Sequence, residues 1–470
     1  MIGVISKKLA LEVLNIATET GADFAEIYLE EENSASISVD NGKVELCNDT
    51  LTYGAGIRLL KDLQSVYGYT NNLTAKSLKK LAKDLSASFS EGRKIEVKTI
   101  KKVRQGKKHL PKIAYGSYPR EKIVEMLKDA AAVMKNYHES IVRTTASFVY
   151  DNKKVSIFNS EGKQFSDVHS RGRAGLVAVA SKDGKIESIY RAPGAQKGME
   201  YFLEEVDLNQ AAKEAAEAAV TMLSAKECPS GKMPVVIGNG FGGVVFHEAC
   251  GHSLEASSVS KGLSVFSGKK GEMIASSLVS AVDDGTIDGA WGSGNIDDEG
   301  NKTQRNVLIK NGVLNSYLID DFNGRRMNKK GNGSCRRESY KYEPTSRMSN
   351  TFILPGKSTL EEIIASTEYG IYAKRMGGGS VNPASGEFNF AVNEGYLIKN
   401  GKLLHPIKGA SLIGSGKEVL SHIDMVGNDL KREQGMCGAS SGYIPADVGQ
   451  PTIRVSEITV GGTKGADKNG

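Results

Sequence analysis

Apolar positions along the first half of the chain follow two alternating periods. Leu9, Val13 and Ile16 recur at helical spacing behind Ser6, a helix-capping residue, and Gly21 marks the stop. Ala25, Ile27 and Leu29, then Ile37 and Val39, alternate with polar neighbours as strand residues do, and Asn41-Gly42 is the dipeptide of a tight hairpin. "GAGIRLL" and "SVYGY" continue the sheet before a helix with Leu78, Leu81, Ala82 and Leu85. These elements predict one α/β unit over residues 1–90. A second helix–strands–helix unit is predicted over 113–225. Ile123, Met126, Leu127, Ala130 and Met134 set its first helix; turns at Asp151-Asn152, Glu161-Gly162 and Asp183-Gly184 separate short strands; "NQAAKEAAEAAVTML" is its last helix. Over 228–465 the texture changes to glycine-rich short strands, such as "NVLIKNGVLNSYLID" and "AVNEGYLIKNGKLLHPIKGASLI", with few helical periods. The expected fold class is α+β: two small α/β N-terminal units, then a large β-rich C-terminal domain carrying a helix with the candidate chemistry.

Length agrees with this division, because single cores stop growing near about 250–300 residues and the chain has 470. No run of about 18 apolar residues could span a bilayer, and the opening "MIGVISKKLALEVLNIATETGADFA" lacks the basic-then-apolar order of a signal peptide. A cytoplasmic location with no membrane contact is expected. Cys47, Cys228, Cys250, Cys335 and Cys437 are odd in number and scattered, a poor disulfide framework that reads as reduced thiols. The formal charge of +6 is partly clustered: residues 91–109 hold eight Lys or Arg against two Glu. Without an interleaved aromatic residue to stack on bases, this run reads as a solvated linker rather than a nucleic-acid site.

"GGVVFHEACGHSLEA", residues 242–256, places His247, Glu248 and His252 within six positions. Zinc peptidases write this set as H-E-x-x-H, with one residue fewer. On a regular α-helix, residues five apart diverge by about 140°, whereas residues four apart differ by about 40°. His247 and His252 share a metal only if the helix carries a π-bulge, which reduces the angle to about 50°, or breaks near Gly251. His247 and Cys250, three apart, form a competing pair that needs no bulge. Catalytic zinc takes three protein ligands plus water, so a third ligand must come from elsewhere; Cys250, Cys335, Cys437, His405, His422 and many carboxylates are candidates. Such an ion lowers its water's pKa to about 7 and polarises a carbonyl, and a neighbouring carboxylate takes the proton. Glu248 stands where the base of H-E-x-x-H enzymes stands. The competing reading is two ordinary histidines with Cys250 as a core thiol.

"FHEACGHSLEA", "GNGSCRRESYKYEPTSRMSNTFILPG", "EYGIYAKRMGGGSVNPASGEFNFAVNEGYLI", "KGASLIGSG", "MVGNDL" and "MCGASSGYIPADVGQPTIRVSEITVGGT" occur in this order between Lys232 and Thr463. Together they closely resemble the TldD branch of the TldD/PmbA metalloprotease family. The resemblance implies that His247 and His252 are the H-E-x-x-x-H ligands, that Glu248 is the base activating the metal's water, and that Cys437 is the third ligand to Zn²⁺. It implies a proteolytic subunit acting on unfolded or extended peptides, in leader-peptide trimming or degradation of unstructured polypeptides. It also implies a dimer enclosing the site, either a homodimer or a heterodimer with a PmbA/TldE-like subunit lacking the zinc motif. Cys335 interrupts a stretch in which the family usually runs from glycine to arginine. Gly377, Gly378 and Gly379 in "RMGGGSVN" are a candidate substrate-side loop, since glycines allow close backbone approach, with a plain turn as the competing reading. Arg336, Arg337 and Tyr340 are candidates to orient substrate or an oxyanion, with salt bridging as the alternative. A structural metal in a scaffold protein, a nucleic-acid regulator and a cysteine peptidase using Cys437 are the readings from other classes.

Overall fold

The computed structural model describes residues 5–465 apart from 91, 93, 107, 383, 384 and 463, with the backbone alone at 464 and 465. Met1 to Val4, Glu91, Arg93 and Lys107 of the basic run, and Pro383, Ala384 and Thr463 of the quoted motifs lie outside the described residues.

Helix α1 (Lys7–Ala17) starts where Ser6 Oγ accepts the Leu9 amide at 3.1 Å, and it buries Ala10, Val13, Leu14 and Ala17. Strands β1 (Phe24–Asp40) and β2 (Lys43–Lys61) form a hairpin through Asn41 and Gly42, at φ of 47° and 79°. A turn with two positive φ values matches the twist of paired strands, and asparagine and glycine tolerate it best. Strand β3 (Gln64–Thr70) and helix α2 (Ala75–Ser86) complete the unit. Next come α3 (Arg120–Asn136), β4 (Ile141–Asn159), β5 (Lys163–Lys182), β6 (Lys185–Arg191) and α4 (Leu208–Met222).

These strands form one sheet rather than two. Its order is β3-β2-β1-β4-β5, with β6 also on β5, and β1 pairs antiparallel with β4 from Glu26↔Asn159 to Asp40↔Thr145. Helices α1 and α2 cover one part of it, burying Ile27, Leu29, Ile57 and Leu59; α3 and α4 cover another, with Ala146, Phe148, Leu176 and Ala178. The expected turn at Asp151-Asn152 is absent: both residues lie inside β4, opposite Ser34 and Asn33 of β1 and Arg171 and Ser170 of β5. Neighbours on both sides pair this backbone, and that pairing overrides the local turn preference. The described residues of the basic run include a strap against the fold. Val97 exchanges hydrogen bonds with Asn15, and Lys101–Lys102 pairs in parallel with β5.

The third part is built on two sheets. In the larger, the pairings of β7 (Pro229–Ile237), β11 (Tyr369–Val381), β12 (Glu387–Lys399), β13 (Ser411–Ser415) and β16 (Ile453–Gly461) close a ring in the order β11-β7-β16-β13-β12 and back to β11. The other sheet includes β8 (Ala281–Asp284), β9 (Arg305–Lys310), β10 (Asn350–Ile353), β14 (Lys431–Ala439) and β15 (Gly442–Gln450), in the order β9-β8-β10-β15-β14. Val235, Ile371, Phe390, Leu412 and Val455 belong to one apolar cluster with Val245, Phe246 and Ala249 of the histidine-bearing segment. No helix among the described residues is long and apolar enough to cross a membrane.

Candidate functional site

Strand β7 ends at Ile237 and the chain turns through Gly240–Gly243 into Val244–Phe246, one α-helical turn. Residues His247–Gly251 then form a π turn, in which the His252 amide donates to the His247 carbonyl, and His252–Leu254 tightens to a 3₁₀ turn. Five residues therefore make one turn, so His247 and His252 leave the same side of the helix, with ring centroids 5.2 Å apart and planes at 87°. Two glycines let the segment dock this closely. A Cβ on Gly243 would lie 2.5 Å from the Gly449 backbone, and one on Gly251 would overlap Met348 Sδ.

Cys437 reaches the pair from the edge strand β14. Its Sγ lies 3.1 Å from His247 Nε2 and 3.2 Å from His252 Nε2, and the three donor atoms lie within 4.8 Å of one another. All three residues are buried. Burial alone would raise the Cys437 thiol, but the charge of His247 and the hydrogen bonds of both imidazoles outweigh it and pull the thiol down to about 3. Burial would lower His252, but Glu255 and Cys437 hold it well above its usual value. Two imidazoles facing one thiolate share protons that a metal ion displaces when it binds, so the donor set fits a divalent metal.

The surrounding residues orient these donors. His252 Nδ1 lies 3.2 Å from Glu255 Oε1, which keeps a proton on Nδ1 and leaves Nε2 free to ligate. Arg347, fully buried, donates to the Cys437 carbonyl at 2.5 Å and to Ser441 Oγ at 2.9 Å, and its Nε is 3.9 Å from Glu255 Oε1. One guanidinium thus ties the strand bearing Cys437 to the carboxylate behind His252. Glu255 and Arg347 were not among the sequence candidates, although Glu255 lies one helical turn past His252. Glu248 Oε2 stands 3.6 Å from His252 Nε2 and its side chain is 25% exposed, so it reaches the cluster and solvent together.

The other candidates lie elsewhere. Cys250 is fully buried in the apolar cluster, and burial alone pushes its thiol up. Cys335 is buried in a two-strand ladder, where its amide donates to Asp297 Oδ2 at 3.2 Å. His405 and His422 are outside the group of donors. Arg337 is committed to Glu26 at 2.7 Å and to the face of Tyr28 at 4.2 Å, and the Tyr340 carbonyl accepts from Tyr67. Both therefore fasten the third part to the first unit. Arg336 donates to the Met348 carbonyl at 2.8 Å and lines a small polar cavity with Arg171 and His169. Gly377 and Gly378 border a cleft of about 710 Å³, whereas Gly379 packs on Phe390.

Family sequence models match the chain in three stretches: PmbA/TldA metallopeptidase domain 1 over residues 25–89, the central domain over 115–223 and the C-terminal domain over 230–462. The metalloprotease TldD homolog of Buchnera aphidicola subsp. Schizaphis graminum is 36% identical over 451 residues, covering 94% of this chain and 93% of that one. Among solved structures, a Thermotoga maritima protein superposes with a TM-score of 0.79 at 22% identity, covering 97% of this chain and 99% of that one. TldE from Thermococcus kodakarensis gives 0.77 at 17% identity, covering 96% and 99%. With the domain order, the near-full-length identity and the His-His-Cys cluster in agreement, this chain belongs to the PmbA/TldD family of metalloproteases.

Proposed function

We propose that the protein is a zinc-dependent peptidase for unfolded or extended peptides, in which His247, His252 and Cys437 hold the metal and Glu248 is the base. The observation that carries this reading is the meeting of three buried donors, two histidines aligned by a π turn and a cysteine from β14, beside a partly exposed glutamate. Two neutral nitrogens and one thiolate suit Zn²⁺, and three protein ligands are the number a catalytic site uses. When bound, zinc would supply Lewis acidity toward the scissile carbonyl. The rest is done by the chain. Glu248 takes a proton from the attacking water onto its carboxylate and returns it to the nitrogen of the departing peptide fragment. Glu255 holds His252 in one tautomer, and Arg347 holds the Cys437 backbone in place, so the cluster keeps its shape during the proton transfers.

The edge of β14 next to Cys437 is not a free edge for peptide addition. The Gly435 carbonyl accepts from Trp291 Nε1 at 3.0 Å and the Cys437 carbonyl from Arg347. In this reading substrate chains approach from the cleft bordered by Gly377 and Gly378. The likeness to TldE supports a two-subunit assembly, either with a second copy or with a TldE-like chain, and a cytoplasmic setting fits the reduced thiols.

The test is metal analysis with a chelator-controlled cleavage assay on an unfolded peptide. About one zinc per chain is expected, with activity lost to chelator and restored by zinc. Glu248→Gln should keep the metal and lose at least about 10²-fold in rate, the lower figure for a general acid–base group. A fully active Glu248→Gln protein with full metal removes Glu248 from the reaction. Activity that survives chelation and falls to a thiol alkylator indicates that Cys437 acts as a nucleophile instead.

A further inference from the structure

Between the middle unit and the third part lies the cleft of about 710 Å³, and a second hollow of about 410 Å³ shares Arg191, Glu214, Arg375 and Lys431 with it. One wall is β6 with its flanking residues, including Tyr190; the other contains Phe241, Met376 and residues 431–434 of β14. The second wall is joined to the metal cluster through short stretches of chain. Phe241 sits in the turn that enters the histidine segment, and Gln434 precedes Cys437 by three residues on the same strand, about 10 Å of extended chain. Between them stands Gly435, where an added Cβ would meet nothing nearer than the Ala446 carbonyl at 3.3 Å and the Phe241 ring at 3.9 Å.

The cleft is apolar and cationic together. Tyr190 is 53% exposed, and Phe241 and Met376 face it from the other part. Of the cations, Arg375 pairs with Glu433 at 2.6 Å and Arg191 with Glu394 at 3.2 Å. Arg173 and Lys431 have no carboxylate within 4.0 Å among the described residues. The Arg173 guanidinium lies 5.9 Å from the Tyr190 ring, and its Nε is buried without a hydrogen-bond partner among the described residues. Burial, and then the like charge of Arg375, depress Arg191 against the opposing pull of Glu394 and Glu433.

We infer that this cleft selects the substrate: it takes an extended peptide segment in which an acidic side chain stands beside an aromatic or long apolar one. The carboxylate pairs with Arg173, and the apolar side chain lies against Tyr190 and Phe241. The inference deepens the peptidase reading and rests on it for the direction in which the peptide runs.

The experiment uses the full-length, zinc-loaded Glu248→Gln protein and fluorescently labelled unfolded peptides of one length and composition. They differ only in carrying Glu, Gln or Lys next to a phenylalanine. By fluorescence anisotropy at low salt, the Glu peptide should bind about tenfold tighter than the Gln peptide, the worth of one hydrogen-bonded charge, and the Lys peptide more weakly still. Arg173→Glu should reverse the order, Arg173→Lys should keep it, and Tyr190→Ala should weaken all three peptides equally. A merely structural role for Arg173 does not produce a reversal. Equal binding of the three peptides, or an unchanged order in Arg173→Glu, overturns the inference. So does a single-stranded oligonucleotide that displaces the Glu peptide at equal concentration. If the zinc-loaded native protein cleaves no peptide while the binding order and its reversal hold, the peptidase reading fails and the acidic-peptide cleft stands.

Discussion

Replacing Gly251 with alanine sets two effects of opposite sign against each other. By helix propensity alone, Gly→Ala in a helical segment stabilises by up to about 1 kcal/mol. At Gly251 the new methyl would overlap Met348 Sδ and lie 3.0 Å from its Cε, and Met348 is fully buried. Overpacking of this kind costs about 1–3 kcal/mol, so the net change should be destabilising, by up to about 2 kcal/mol. The strain falls on the metal site, because Met348 follows Arg347, which anchors the Cys437 carbonyl. Metal content should drop with stability. Met348→Ala alone should cost about 2–5 kcal/mol as a cavity, and the double variant should cost less than the sum by at least about 1 kcal/mol, since the new methyl fills part of that cavity. Trp291 is the sole tryptophan and its Nε1 bonds to Gly435 on β14, so its fluorescence during urea unfolding reports on this strand. A Gly251→Ala protein that unfolds at higher urea with full metal, or a double variant whose costs simply add, refutes the steric argument.

Cys437→Ala should strip most of the zinc while Cys250→Ala keeps it, by elemental analysis; equal losses would favour the His247/Cys250 pair. Arg58 is fully buried between Glu26 at 3.0 Å and Glu299 at 2.7 Å, so Arg58→Ala should lower stability by about 3 kcal/mol, the low end for a broken buried pair because Arg337 still serves Glu26. Burial pushes the Asp447 carboxyl up to about 6. Between about pH 4 and 6 the folded protein holds a proton that the unfolded chain releases, so this group's contribution is full below about pH 4 and lost as pH rises through 6. Urea midpoints of the native protein should therefore fall relative to Asp447→Asn across that window, and parallel profiles would dismiss Asp447 as the cause.

Local features of the site are legible in the chain. Spacing of five between His247 and His252 demands a π turn or a break, and the helix contains the π turn. Cys437 lies 190 positions from His247, and no local pattern links them; only the resemblance of ordered motifs does. Glu255 and Arg347 escaped notice because carboxylates and arginines are common and their role depends on a contact between distant segments. In the fold, alternation found the strands but not their partners. Ala25–Leu29 and Ile37–Val39 read as separate strands because polar residues 30–34 break the apolar pattern, yet they are one strand of 17 residues. Glu30 is buried there facing Lys153 at 3.4 Å, and Glu32 meets the same lysine at 2.9 Å. A charged residue paired across a sheet looks like a loop residue until its partner is known.

The shared sheet also sets a timetable for synthesis. Strand β1 can close its hairpin with β2 at once, but its other edge waits for β4, which starts at residue 141, about 100 residues after β1 ends at residue 40. At about 5–20 residues per second, that edge stays open on the ribosome for roughly 5–20 s. An open edge of this length invites pairing with other nascent chains, and the charged residues Glu26, Glu30 and Glu32 along β1 oppose it until Lys153 and its neighbours arrive. The segment matched as domain 1 is therefore a unit of sequence but not of folding: expressed alone, it would carry that bare edge permanently.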